Sequence, residues 1–405
     1  MSIKGNIVVG QSGGPTAVIN NSLVGVIHEA MQHEEFGEIL GMSHGIAGIL
    51  NEELVDLRRE SAETLALLRD TPASALGTVR YKVSDADYER ILNVFRTYDV
   101  RYFFYIGGND SMDTAHQMHA LAASRGYELH AIGVPKTVDN DLAETDHCPG
   151  FGSAARFVAT AIRDTGYDTV AMGDSSPIKF MEIMGRNAGW LTASAALAKE
   201  EPDDAPHLVY VPEHGVTLEQ ILGDIQGVYD RLGHCVVAVS EGLADPEGNP
   251  LAHRSDSGEV DAFGHGRLGG VVEFLDEAVS QSLGLRARFD KPGYLQRSFA
   301  WLQSSVDREE AYEVGRAAVR AALAGESDKM ITLVREPGPT YRCTMGLADL
   351  EQVANHEHIL PADYINETGN GVTDGFLAYA RPLIGGPLPP YAKLARHLLP
   401  KRPSK

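Results

Sequence analysis

Short apolar runs rich in β-formers, each stopping at glycine or proline, alternate with helix-period segments along most of this chain. Runs over residues 7–9, 102–106, 129–134, 180–184 and 235–240 end against Gly10, Gly107, Pro135, Gly185 and Glu241-Gly242. Between them, residues 17–33 repeat apolar side chains at helical spacing (Val18, Ile19, Leu23, Val24, Ile27, Met31), and residues 85–98 do so with Tyr88, Ile91, Leu92, Val94 and Phe95. Residues 153–165, 218–232 and 307–323 read the same way, and residues 187–197 read as a helix of small side chains. Further strands are predicted over 207–211 and 331–334. Alternation with short loops predicts an α/β fold: two doubly wound, mainly parallel-sheet domains, with ligands at the carboxyl ends of strands and the site in the cleft between the domains. The length of 405 residues and 43% hydrophobic content suit two or three cores.

Three of the strand ends carry chemistry. Pro135 cannot donate to a sheet ladder, so the run before it ends there, and the loop Lys136-Thr137-Val138-Asp139-Asn140-Asp141 sets a lysine, a hydroxyl and two carboxylates side by side. Such a set suits phosphoryl transfer: the ammonium neutralises phosphate and a carboxylate accepts the proton of an attacking alcohol. Asp-Asn-Asp alone also describes an ordinary polar turn. Gly107-Gly108-Asn109-Asp110-Ser111 and Gly10-Gln11-Ser12-Gly13-Gly14 lead into helices predicted to start near Ser111 and Thr16, so backbone amides and a positive helix end face each loop. Residues 41–57, with Ile46, Ile49 and Leu50, are a candidate pocket wall, and residues 246–270 read as a polar, glycine-rich loop.

Composition narrows the partners. With 56 acidic against 35 basic residues the formal charge is −21, which repels nucleic acid and anionic membranes. Clustered cations therefore stand out, as in residues 286–297. Cys148, Cys235 and Cys343 are widely spaced and form no metal-type pair, fitting reduced thiols. His234 and Cys235 are sequence neighbours and point to opposite strand faces, so they read as packing rather than as a nucleophile pair. No apolar run approaches a membrane span, and a cytoplasmic protein is expected.

From residue 7 to about 361 the chain resembles the phosphofructokinase family. The resemblance rests on Thr137-Val138-Asp139-Asn140-Asp141, Met184-Gly185-Arg186, Ser240-Glu241-Gly242, Tyr294-Leu295-Gln296-Arg297 and Leu76-Gly77-Thr78-Val79-Arg80-Tyr81. It implies Asp139 as the base with Thr137 and Asp141 as companions, and Arg80 bridging the two phosphates. It also implies that Gly13 and the first loop hold the phosphoryl donor, and that Met184, Gly185, Arg186, Glu241, Tyr294 and Arg297 hold a hexose phosphate. Arg288 sits where a neighbouring subunit reaches across, so a homodimer or homotetramer is implied.

Within that family, Gly107-Gly108-Asn109-Asp110 and Pro135-Lys136-Thr137 resemble the pyrophosphate users rather than the ATP users. The resemblance thus implies fructose 6-phosphate and pyrophosphate as substrates, and Mg2+ as cofactor. Asp110 stands where an α-phosphate would lie; two like charges about 4 Å apart repel by about 4 kcal/mol at an effective dielectric near 20. Two departures are visible. Asn109 replaces the aspartate that many members associate with magnesium, and Pro177 replaces their cross-subunit arginine, the nearest cation being Lys179. The implied halves are residues 1–150 plus about 297–350 for the donor, and 151–296 plus about 351–405 for the sugar. An ATP-dependent phosphofructokinase, a non-catalytic regulatory subunit of this fold and a lipid- or NAD-kinase-like protein are the alternatives. Asp110 with Lys136 opposes the first, the intact Asp139 and arginine set the second, and the full loop pattern the third.

Overall fold

The computed structural model describes residues 3–252, 270–395 and 397–402. The loop expected over 246–270 therefore lies largely outside the described residues. Seven strands form one sheet: β1 (Gly5–Gln11), β2 (Phe36–Met42), β3 (Leu54–Asp56), β4 (Val100–Gly107), β5 (His130–Pro135), β10 (Lys329–Arg335) and β11 (Cys343–Asp349). Their order is β11-β10-β5-β4-β1-β2-β3, parallel from β10 to β2 with an antiparallel strand at each edge. The chain leaves β1 toward β2 and returns to β4 on the other side, so the carboxyl ends of β1 and β4 flank a crevice, the position where ligands bind in such sheets. A second sheet, β7-β8-β6-β9, is wholly parallel and uses β6 (Ile178–Ile183), β7 (Leu208–Tyr210), β8 (Cys235–Ser240) and β9 (Ala287–Asp290).

Both sheets are covered on both faces, as near-continuous apolar strands require. On the first, helices Ile19–Ala30 and Ser305–Leu323 bury Ile19, Leu23, Val314 and Ala318 on one side, while Ile91, Phe95, Met112 and Met118 cover the other. The two helices of the first side cross closely because glycines face each other. A Cβ on Gly25 would lie 2.1 Å from the Tyr312 carbonyl oxygen, and one on Gly315 would lie 2.1 Å from that of Ser22. Around the second sheet, helix Phe151–Met172 and the late segment Phe376 to Ile384 pack on one face, with helices Leu218–Leu232 and Val271–Leu283 on the other.

Two helix expectations need correction. The helix expected over 153–165 runs Phe151–Met172; its last turns carry exposed Tyr167, Val170 and Met172, so no inward apolar period marks them. The helix expected over 187–197 is only Trp190–Ala193 followed by a tighter turn, Ser194–Ala198. That segment is buried all round, and packing against the second sheet sets its backbone in place of helix propensity. Residues 41–57 do not line the cleft.

Candidate active site

Loops at the carboxyl ends of β1, β4 and β5 meet those of β6 and β8 across one cavity of about 1190 Å3. The first three are pinned to one another. Ser12 N–H donates to the Ile106 carbonyl (2.8 Å), Lys136 N–H to that of Gly107 (3.0 Å), and the Thr78 hydroxyl to that of Gly13 (2.9 Å). Gly107 cannot be larger, because a Cβ there would lie 2.0 Å from Ser111 Oγ. On the other side, Glu241 N–H donates to the Ile183 carbonyl (3.0 Å) and Ser240 Oγ to that of Gly185 (2.7 Å), joining the ends of β6 and β8.

Of the residues singled out in the sequence, Gly13, Arg80, Asn109, Asp110, Lys136, Thr137, Asp139, Asp141, Met184, Arg186, Glu241 and Arg297 all line this cavity. Gly185 links two of them with φ +120°, a conformation that glycine tolerates. Helix Asn109–Ser124 starts two residues earlier than expected, which puts Asp110 in its first turn at the cavity edge. Tyr294 and Arg288 lie elsewhere in this chain. The Tyr294 ring is 66% exposed and supports the Arg297 guanidinium at 4.4 Å, while Arg288, on β9, donates to Asp168 at 2.9 Å. Lys179, the cation nearest Pro177, pairs with Asp290 at 2.7 Å. Among the lining residues that escaped the sequence reading are Asn187, Asn355 and Glu357. Glu357 pairs with Leu142 in an isolated antiparallel bridge and receives the Asn187 amide at 3.1 Å, contacts that no local motif announces.

The electrostatics of the cleft are unusual. Burial, followed by the neighbouring Asp141 and Glu241 carboxylates, raises the Asp139 carboxyl to about 7 against the pull of Lys136 and Arg297. Burial and the Arg297 charge lower the Lys136 ammonium to about 8, with Asp141 and Asp139 opposing. Its Nζ donates to the Gly14 carbonyl at 2.8 Å. Glu241 is raised by burial, with Arg186 working the other way. Opposed shifts in adjacent groups mark sites built for proton transfer.

Among the described residues, Asn109 Oδ1 and Asp139 Oδ1 are buried without a hydrogen-bond partner. Oxygen atoms of this kind beside Asp110 and Asp141 suit a hard divalent cation that borrows further ligands from phosphate and water. A second acidic group, His147 with Glu310 and Cys343, has its ligand atoms within 4.8 Å of one another. There both imidazole nitrogens meet carboxylates, Nδ1 at Asp146 and Nε2 at Glu310, each at 2.8 Å. Burial works against the charge, but these hydrogen bonds outweigh it and hold His147 at about 9. With both ring nitrogens taken up by carboxylates, the cluster is built as an ion-pair network.

One expected result follows from the loop after β1. A Cβ on Gly14 would lie 2.5 Å from Arg297 Nη1, the mobile end of a side chain. Gly14→Ala should therefore displace the guanidinium rather than unfold the chain, lowering kcat by up to about a hundredfold with little change in Tm. Kinetics beside a thermal melt check this; an unchanged kcat would show that Arg297 has no part in turnover.

A carboxylate raised toward neutrality, an ammonium lowered toward it and arginines on both walls define a site for moving a phosphoryl group onto an alcohol. The chain belongs to the phosphofructokinase family, whose profile matches residues 6–322. It is 45% identical over 392 residues to the pyrophosphate–fructose 6-phosphate 1-phosphotransferase of Xanthomonas campestris pv. campestris, covering 95% of this chain and 93% of that protein. The enzyme of the same name from Halomonas elongata is 42% identical, with 98% of each chain covered. The crystal structure of a pyrophosphate-dependent phosphofructokinase from Marinobacter aquaeolei superposes with a TM-score of 0.86 at 40% identity, covering 99% of this chain and 98% of that one. Covering 95% or more of the chain, these matches extend past residue 361, so the resemblance is not confined to residues 7 to about 361 as expected from the motifs. Among the described residues no helix is long and apolar enough to cross a membrane.

Proposed function

We propose that this protein transfers a phosphoryl group reversibly from inorganic pyrophosphate to the 1-hydroxyl of fructose 6-phosphate, giving fructose 1,6-bisphosphate and phosphate. The observation that carries the reading is the joint placement of Asp110 at the mouth of the cleft with Lys136 and Asp139 inside it. Asp139, poised near neutrality, takes the proton of the attacking hydroxyl. Lys136 and Arg80 stabilise charge on the moving phosphoryl group, while Gly13 and its loop hold the donor. Thr137 steadies the base loop, its hydroxyl accepting from the Asp139 N–H at 3.1 Å. Met184, Gly185, Arg186, Glu241 and Arg297 hold the sugar phosphate, and Asp110 excludes nucleotide. Mg2+, when bound, neutralises phosphate charge; Asn109 offers it a neutral oxygen, with anionic ligands from pyrophosphate.

Under this reading residues 1–150 plus about 297–350, which build the seven-stranded sheet and the helices covering its two faces, form the donor half. Residues 151–296 plus about 351–405 form the sugar half. The enzyme works in the cytoplasm in sugar-phosphate breakdown and synthesis. Purified protein with fructose 6-phosphate and Mg2+ should form the bisphosphate with pyrophosphate and not with ATP; the reverse preference would install the ATP-dependent alternative.

The protein is proposed to act as a homo-oligomer in which Arg288 serves a neighbouring subunit's cleft, while Tyr294 supports the Arg297 guanidinium of its own. The position of Arg288 outside the cleft of its own chain supports this. Arg288→Ala and Asp139→Asn proteins, each impaired alone, should regain activity when mixed, because hybrids carry sites with one intact copy of each residue. An active monomer would end that assignment.

A further inference from the structure

The loop that carries Asp139 is braced from a place far away in the sequence. Asn140, fully buried, adopts a left-handed backbone with φ +59°. Its Oδ1 accepts from the Cys148 N–H at 2.8 Å, so one side chain spans both arms of the loop. Its Nδ2 donates to Tyr379 Oη at 2.9 Å, and the Tyr379 hydroxyl in turn donates to the Asp146 carbonyl at 2.7 Å. One hydroxyl from helix Asp374–Ala380 thus bridges the residue next to Asp139 and the far arm of the same loop.

Both ends of the bridge are fixed. The Asp146 carboxylate is gripped by Arg335 of β10, at 3.0 Å from Nη2, and by His147, which ties it on to Glu310. The Tyr379 ring lies 4.6 Å from the Arg335 guanidinium and packs on Trp190 at a ring separation of 5.2 Å. Trp190 follows the Met184-Gly185-Arg186 turn by a few residues. Its indole N–H donates to the His358 carbonyl (2.8 Å), and the His358 N–H donates to that of Asp141 (2.8 Å). Two routes therefore run from this aromatic cluster to the two residues that follow the base, Asn140 and Asp141.

We infer that Tyr379 is a positioning residue, acting through Asn140 to hold the Asp139 carboxylate in register with the sugar hydroxyl. The inference rests on the phosphotransferase reading above, since it supplies the base with its task. Tyr379→Phe keeps the ring and its packing and removes only the bridging hydroxyl. A base displaced by a fraction of its hydrogen-bond reach loses turnover while substrate contacts survive, so kcat should fall by about tenfold to a hundredfold with both KM values within about threefold. Asn140→Gly, which keeps the left-handed backbone accessible, should fall by a similar factor. If the two act through one bridge, the double variant should be no slower than Asn140→Gly alone.

The experiment is steady-state kinetics of wild type, the two single variants and the double variant with pyrophosphate and fructose 6-phosphate, with thermal melts run in parallel. Loss of kcat in both singles with no further loss in the double supports the brace. Turnover in Tyr379→Phe within about twofold of wild type, or losses that multiply in the double variant, overturns it alone. Should Tyr379→Phe fail to fold, Asn140→Gly carries the same expectation for kcat and KM. A wild type inert toward this substrate pair overturns the phosphotransferase reading and the brace with it.

Discussion

Asp139→Asn should lower kcat by about a hundredfold to ten-thousandfold, the range a general base contributes, while KM for fructose 6-phosphate stays within about tenfold. The same substitution should raise stability above neutral pH. Burial and the Asp141 and Glu241 charges lift the Asp139 carboxyl from 3.8 to about 7 in the folded chain. The folded state therefore holds this proton more tightly than the unfolded state, and between those two values rising pH costs stability. Above about 7 the cost is complete, and the neutral amide escapes it. Melting curves should show Asp139→Asn above wild type at pH 8, with the gap closing as pH falls through the acid range. The activity profile follows from the same pair of groups. Asp139 must have lost its proton, which sets an acid limb near 7, and Lys136 must keep its own, which sets an alkaline limb near 8. A bell in kcat/KM with limbs in that neighbourhood is expected. Near-normal turnover in Asp139→Asn would remove Asp139 from the role of base.

What was legible in the sequence was legible for local reasons. The β5 strand ends at Pro135 because proline cannot extend a ladder, and the helix Leu218–Leu232 ends at Gly233, whose φ of +74° is that of a left-handed cap. Asp139, Lys136 and Asp110 stood out because breaker residues crowd charges into short loops, and strand alternation sends those loops to the same sheet edge. Other features depend on contacts between distant parts of the chain. Glu357 reaches the cleft through an isolated bridge to Leu142, and Asn355 lies two residues before it. Tyr379 meets Asn140 across 239 residues, and no periodicity in either segment points to the other. The turn at Ser194–Ala198 takes its shape from burial on all sides, which composition alone reads as helix. Arg288 and Tyr294 show the limit of a motif: it names a residue type at a spacing, and in the fold of one chain neither lines that chain's own cleft.

Donor choice should be reversible by two substitutions. Asp110 lies in the first turn of the helix Asn109–Ser124, whose amide dipoles favour phosphate, and under the proposed function its carboxylate opposes that attraction for a nucleotide's further phosphate. A repulsion of about 4 kcal/mol corresponds to several hundredfold or more in affinity, so Asp110→Gly should let ATP be used measurably while pyrophosphate turnover persists. Lys136→Gly should act in the other direction. Its ammonium is buried, sits 2.8 Å from the Gly14 carbonyl, and lies close enough to Arg297, Asp139 and Asp141 for each of their charges to shift its pKa. Without it the moving phosphoryl group loses a preorganised cation, and pyrophosphate turnover should fall by about a hundredfold to a thousandfold. The double variant tests whether the two residues act as a pair: with the blocking carboxylate gone and the lysine absent, the preference of the remaining activity should move toward ATP more than in either single variant. Competition assays with both donors at equal concentration read this directly. A wild type that already used ATP as well as pyrophosphate, or a Lys136→Gly protein with intact pyrophosphate turnover, would show that donor choice is set elsewhere in the cleft.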